Sequence, residues 1–177
     1  YPGIAPNLDG VVIMDEYVGS IGTATNDPDV FRVLSHEIGH YLNLKHVWGD
    51  SNTPGLASNC NVDDLVFDTP NTIGSSYNCN LNQSTCTPGV IDNVQNIMDY
   101  SSCDYMFTQG QCARMQAALN STVGNRNNLW SQANRLLTGI NDSFPATVCA
   151  PVADFTGQLM RICEGESITY SNMSYGG

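Results

Sequence analysis

The stretch His36-Glu37-Ile38-Gly39-His40-Tyr41-Leu42-Asn43-Leu44-Lys45-His46 holds every histidine of the 177-residue chain. On an α-helix, positions four apart project from one face, so His36 and His40 can each present an imidazole nitrogen to one zinc ion at the usual ~2.0–2.1 Å. A catalytic zinc commonly takes three protein ligands and keeps a position for water, so a third ligand has to arrive from outside that face, and His46 is the candidate. To bring His46 back, the helix must end sharply near residue 43 in left-handed backbone. Gly accepts that conformation best and Asn next best, and Asn43 stands there. Glu37, beside the first ligand, is placed to accept a proton from a water acidified by the metal. The competing reading, ordinary helix histidines, is disfavoured by the third His at the required spacing and by the lack of any other His.

Working outward, Asn26-Asp27-Pro28-Asp29 offers a cap, a first-turn proline and an acid for the positive helix end, so a helix is expected to start there. Apolar Val30, Val33, Leu34, Tyr41 and Leu42 recur at three- and four-residue steps, which predicts a helix through about Leu42 with one buried face. Upstream, Gly10 to Gly19 (GVVIMDEYVG) reads as a strand in need of neighbours. From Trp48 to Val94 the chain is rich in Gly, Asn, Asp, Ser, Thr and Pro, and reads as long loops that cysteines or cations would have to staple. Two further helices are expected, one after a Thr108 cap through Met115 and Leu119, the other from about Leu129 to Leu137 ending at Gly139. After Pro145 the segments PVADF and ESITYSNMS read as two short strands opening a β-sandwich.

The hydrophobic fraction is 41% and the charged fraction 13%, values of a folded rather than a disordered chain. A net charge of −11 with only 6 Lys and Arg leaves no basic stripe for nucleic acid or for an anionic membrane. No stretch reaches the length of a membrane span. Seven cysteines without a C-x-x-C pair, set in Asn- and Ser-rich sequence, favour disulfides and an oxidising compartment. An odd count leaves one cysteine unpaired or paired outside the chain.

The eleven residues from His36 to His46 resemble the extended signature of the metzincin metallopeptidases, with Asn43 where most members carry Gly. Asn96-Ile97-Met98-Asp99-Tyr100 is similar to the metzincin Met-turn, which implies Met98 beneath the metal and Tyr100 as a stabiliser of the oxyanion. More narrowly, HEIGHYLNLKH, DDLVFDTP, NIMDYS and FTQGQCARM, in this order, resemble the pappalysin family in its bacterial cytophagalysin branch, over residues 10 to 120. The resemblance implies an α+β, metzincin-like zincin domain over residues 1–148, with an incomplete N-terminal sheet because only about one strand precedes the zinc helix. It also implies disulfides Cys60–Cys86 and Cys79–Cys103, and calcium held by Asp64, Asp68 and the Thr69 carbonyl. Cys112, Cys149 and Cys163 are left unassigned. The tail over 149–177 resembles the start of a PKD-type immunoglobulin-like domain, which implies that the native polypeptide continues.

The function that the resemblance implies is a secreted, bacterial zinc metalloendopeptidase acting on internal bonds of proteins or peptides, with Glu37 as general base and acid. The acidic balance points to a basic residue beside the scissile bond. The alternative from another class is a secreted binding or adhesion module that keeps zinc as a structural staple.

Overall fold

The computed structural model describes residues 9–19, 21–25, 27, 30–140, 155–157 and 170–172. Its elements are helix α1 (Val33–Tyr41), helix α2 (Gln109–Leu119), helix α3 (Gln132–Thr138), and strands β1 (Phe155–Gly157) and β2 (Tyr170–Asn172), with short 3-10 turns between them. Helix α1 begins later than the sequence predicts. Val30 N bonds Asp27 O and Val33 N bonds Val30 O, so the chain first winds through three-residue turns. The α ladder opens only at Val33, behind an Arg32 cap whose side chain makes no capping bond. Pro28 and Asp29, the expected first-turn residues, lie outside the described residues.

The far end of α1 follows the expectation closely. Asn43 adopts a left-handed backbone with φ 73°. Leu44 N then bonds Gly39 O at 2.9 Å and Asn43 N bonds His40 O at 3.0 Å, which is the Schellman pattern that satisfies the last carbonyls of a helix. The turn drives Leu44 inward, where it forms the buried core with Val47, Trp48 and Met98, and Tyr100, Phe107 and Met115 pack against it. Burying a side chain of that size stabilises by roughly 1.5–3 kcal/mol, so the helix stop and the core support each other.

The strand expected over 10–19 does not form. Asp15–Tyr17 is a 3-10 turn, and Val12 and Met14 are 93% and 56% exposed. A β-rich segment is a strand only when a neighbour takes up its backbone groups, and no described strand lies beside it. The described sheet consists of β1 and β2 alone, antiparallel with Phe155 opposite Asn172. The remainder of the expected sandwich falls outside the described residues.

Between Trp48 and Val94 only the 3-10 turn Ala57–Asn61 interrupts irregular chain. Two disulfides staple it, Cys60–Cys86 and Cys79–Cys103, the pairs implied by the resemblance. Buried Asp92 adds a polar hub, accepting from the hydroxyls of Thr72 at 2.9 Å and Thr85 at 2.6 Å and from Gln83 Nε2 at 3.1 Å. Helix α2 starts with a capping box between Thr108 and Gln111. Helix α3 starts at Gln132 instead of Leu129, because extended Ser131 caps it and accepts from Asn134 N; it ends, as expected, on left-handed Gly139.

One long-range clamp bears on α1. The Arg126 guanidinium is buried, pairs through both terminal nitrogens with the Asp9 carboxylate, and donates to Tyr41 O at 3.1 Å. It also lies 3.5 Å from the centroid of the Tyr41 ring. The last residue of α1 is thereby held from both its carbonyl and its ring.

Candidate metal centre

His36 and His40 stand one turn apart on α1, and the Schellman turn at Asn43 returns the chain so that His46 joins them. One nitrogen from each of the three lies within 4.8 Å of the others. Their Nδ1 atoms face backbone carbonyls: His36 donates to Ile97 O at 2.6 Å, His40 to Leu44 O at 2.9 Å and His46 to Ser51 O at 3.0 Å. Those bonds place the protons on Nδ1 and leave three Nε2 lone pairs converging on one point, the arrangement by which carbonyls orient metal-binding imidazoles. His40 Nε2 and His46 Nε2 are 3.1 Å apart. Tetrahedral zinc with bonds of ~2.0–2.1 Å would set its nitrogens about 3.3–3.4 Å apart, so the His40–His46 pair fits that ion with a small adjustment, and the third nitrogen lies within 4.8 Å.

Electrostatics agree. Burial pushes His36 down to about 4, opposed by its bond to Ile97 O. Burial, with the two neighbouring histidines, pushes His46 down to about 3. Both imidazoles are therefore neutral near pH 7, the form that binds metals. His46 is further fixed by stacking on Trp48 at 4.5 Å with an interplanar angle of 3°, and Trp48 Nε1 shares the Ser51 carbonyl at 2.8 Å.

The floor of the site is the 96–100 turn. Met98 is fully buried beneath Gly39, so closely that a Cβ there would overlap its sulfur. Met98 N bonds Asn96 Oδ1 at 2.9 Å, and Val47 N bonds Met98 O at 3.2 Å. The Tyr100 hydroxyl lies 3.0 Å from His46 Nε2. Glu37 and Tyr100 line one cleft together with His36.

Several residues of this site, some of them inside the motifs quoted above, were assigned no role from the sequence. Asn96 and Gln111 exchange two amide hydrogen bonds, at 2.9 and 3.1 Å, which tie the Met98 turn to the start of α2. Arg32, Tyr77, Asp99 and Asp104 also line the cleft. Asp99 is buried, with Oδ1 accepting from Ser75 N at 2.8 Å and Tyr100 N at 2.7 Å. Burial raises its carboxyl to about 7. Their hydrogen bonds, burial and place in the cleft come from the tertiary structure.

The acidic loop is arranged in two parts. Asp68 accepts from Thr108 Oγ1 at 2.7 Å and from Gly110 N at 2.9 Å, so both its oxygens serve the N-terminus of α2. Asp64 Oδ1 accepts from Val66 N at 3.0 Å and Thr69 Oγ1 at 2.7 Å, while its Oδ2 is buried without a hydrogen-bond partner. Cys112 on α2 is exposed with a free thiol.

A histidine triad on a helix that stops in a left-handed turn, above a buried methionine and beside a tyrosine, places this fold among metallopeptidase catalytic domains. The chain belongs to the peptidase M43 family, whose model, described as pregnancy-associated plasma protein-A, matches residues 5–120. It is 32% identical over 153 residues to an extracellular metalloprotease of Arthroderma benhamiae, covering 82% of this chain and 46% of that protein. Extracellular metalloprotease 1 of Coccidioides posadasii is 35% identical over 92 residues, 50% of this chain and 30% of that one. Among solved structures, mature mirolysin of Tannerella forsythia in complex with a cleaved peptide superposes with a TM-score of 0.61 at 33% identity, covering 74% of this chain and 48% of that chain. The chain thus spans about half the length, or less, of the proteins it matches. The curated relatives are fungal, which lends no support to the expected bacterial source.

Proposed function

We propose that this chain is the catalytic part of a secreted zinc metalloendopeptidase that hydrolyses internal peptide bonds of proteins. The observation that carries the reading is the convergence of three Nε2 atoms whose Nδ1 partners are all backbone carbonyls. His36, His40 and His46 would hold zinc, which when bound polarises the scissile carbonyl and acidifies water. Glu37 takes a proton from the attacking water and delivers it to the leaving amine as the C–N bond breaks. The Tyr100 hydroxyl donates a hydrogen bond to the oxygen that gains negative charge. Met98 supports the imidazoles from below through Gly39.

Secretion agrees with the two disulfides and with the relatives' description as extracellular; no described helix is long and apolar enough to cross a membrane. Glu37 and Asp104, both lining the cleft, favour a basic substrate residue beside the scissile bond. Calcium belongs to this reading at the acidic loop, through the buried Asp64 Oδ2, the Thr69 carbonyl and Asp68. Residues 1–148 form the catalytic unit of the cytophagalysin branch, and β1 and β2 open a PKD-type domain over 149–177.

The test measures zinc content and cleavage of denatured casein for the wild type and Glu37→Gln. We expect about one zinc in each, with cleavage by the wild type alone. Zinc in both with cleavage by neither would overturn the peptidase reading in favour of a binding module with a structural metal.

A further inference from the structure

Arg32 caps α1 with its backbone in helical conformation, and its carbonyl accepts from His36 N at 2.9 Å. Its side chain is thus one helical turn ahead of the first imidazole of the triad and on the same side of the helix. The guanidinium reaches Asp104, with Nη1 3.6 Å from Oδ1, and both residues line the cleft that holds His36, Glu37 and Tyr100. The Asp104 side chain is only 13% exposed, whereas that of Arg32 is 40% exposed. A carboxylate so enclosed has lost much of its hydration, so a cation 3.6 Å away favours its charged form.

We propose that Arg32 is the resident cation of the cleft's acidic subsite, a specificity-determining residue that a basic substrate side chain must displace from Asp104. The proposal rests on the peptidase reading for its substrate but not for its chemistry, which is an exchange of one cation for another at a single carboxylate. The 3.6 Å separation exceeds hydrogen-bond length, so the pair is an ion pair without a directional bond and is readily exchanged. A lysine or arginine from substrate can come close enough to donate directly, and the half-exposed Arg32 has solvent to move into. For a neutral side chain Arg32 stays in place and occupies part of the subsite. The cleft therefore selects for basic residues less strongly than its acidic lining alone would make it.

The test is an NMR titration of the zinc-loaded protein with N-acetyl-argininamide and, as a neutral comparison, N-acetyl-norleucinamide. Wild type, Arg32→Ala, Asp104→Asn and the double variant are compared. Arg32→Ala is expected to raise the preference for the arginine ligand about two- to fivefold, the range a partly exposed ion pair accounts for, and raised salt should shrink the gain. In the Asp104→Asn background the same substitution should change nothing, a result that a general effect on folding would not produce. An unchanged or lowered preference in Arg32→Ala, or a gain that persists without the Asp104 carboxylate, would overturn the proposal. Arg32→Gln, which keeps the stem of the side chain, serves if the alanine variant loosens the start of α1. Two peptides differing only in arginine or norleucine beside the scissile bond then give the same ratio as kcat/KM. Failure to cleave either peptide would count against the peptidase reading, while the titration still decides the role of Arg32.

Discussion

Replacing Gly39 by Ala sets two effects of known sign against each other at the centre of the site. Inside a helix Ala is favoured over Gly by about 1 kcal/mol, and Gly39 lies between His36 and His40 in α1, so propensity alone predicts a more stable protein. The new methyl group, however, would overlap Met98 Sδ and come within 3.4 Å of Met98 Cε and 3.5 Å of Leu44 Cδ1. Met98 is the far end of a flexible side chain, yet it is fully buried, and its backbone is held at both N and O by Asn96 and Val47. The sulfur has little room to yield. Overpacking costs about 1–3 kcal/mol, and with Met98 buried and held at both backbone ends the upper half of that range applies, about 2–3 kcal/mol, which exceeds the propensity gain. We expect Gly39→Ala to lose a net ~1–2 kcal/mol, read in zinc-saturated buffer as a fall of about 0.5–1 M in the urea midpoint. In a double-mutant cycle, Gly39→Ala should cost little once Met98 is alanine, because the atom it strikes is gone. A single variant as stable as the wild type, or more so, would refute the reasoning by showing that the contact is loose and that propensity wins.

The remaining expectations concern the turn, the buried acid and Glu37. Asn43→Gly should be neutral within a few tenths of a kcal/mol, and Asn43→Ala should cost ~1–2 kcal/mol and weaken zinc binding, since the left-handed backbone at φ 73° is what returns His46; equal zinc dissociation constants for the two variants would contradict this. Asp99, raised by burial from 3.8 to about 7, contributes stability that is fully present below about pH 4 and lost as pH rises to about 7. Asp99→Asn should flatten that slope in urea midpoints across the range, and an unchanged slope would mean that the carboxyl ionises normally. Glu37→Gln should abolish cleavage while keeping the metal, as the casein assay reads.

The eleven residues from His36 to His46 were decisive without any coordinates, because helical geometry and the left-handed stop are local properties. Four-residue spacing puts two imidazoles on one face whatever the helix packs against, and Asn tolerates positive φ in any context. The α2 capping box and the Gly139 stop are local in the same sense and were legible for the same reason. The pairing of the cysteines was implied by family likeness alone, since four or more cysteines permit several connectivities. What the sequence misjudged depended on neighbours. Gly10 to Gly19 has the composition of a strand, but its backbone finds no described partner and Val12 stays in solvent. Helix α1 opens only at Val33, behind bonds from Val30 N to Asp27 O and from Val33 N to Val30 O that close at three residues and that no capping rule contains.

The electrostatic character of the site also came from the tertiary structure. Ile97, Leu44 and Ser51 contribute only carbonyls, which every residue has, yet they set the tautomers of the three histidines. Asp68 and Asp64 look alike in the sequence and differ in the fold, one with both oxygens bonded to the start of α2 and the other buried with an oxygen to spare. Arg32 and Asp104 are far apart in the chain and meet only across the cleft. The three histidines and their spacing are determined by the sequence, because they follow from one turn of helix and the left-handed stop behind it. Protonation, burial and the charge that fills the cleft are decided by tertiary structure, because they depend on how far each group is removed from water and on what is brought against it.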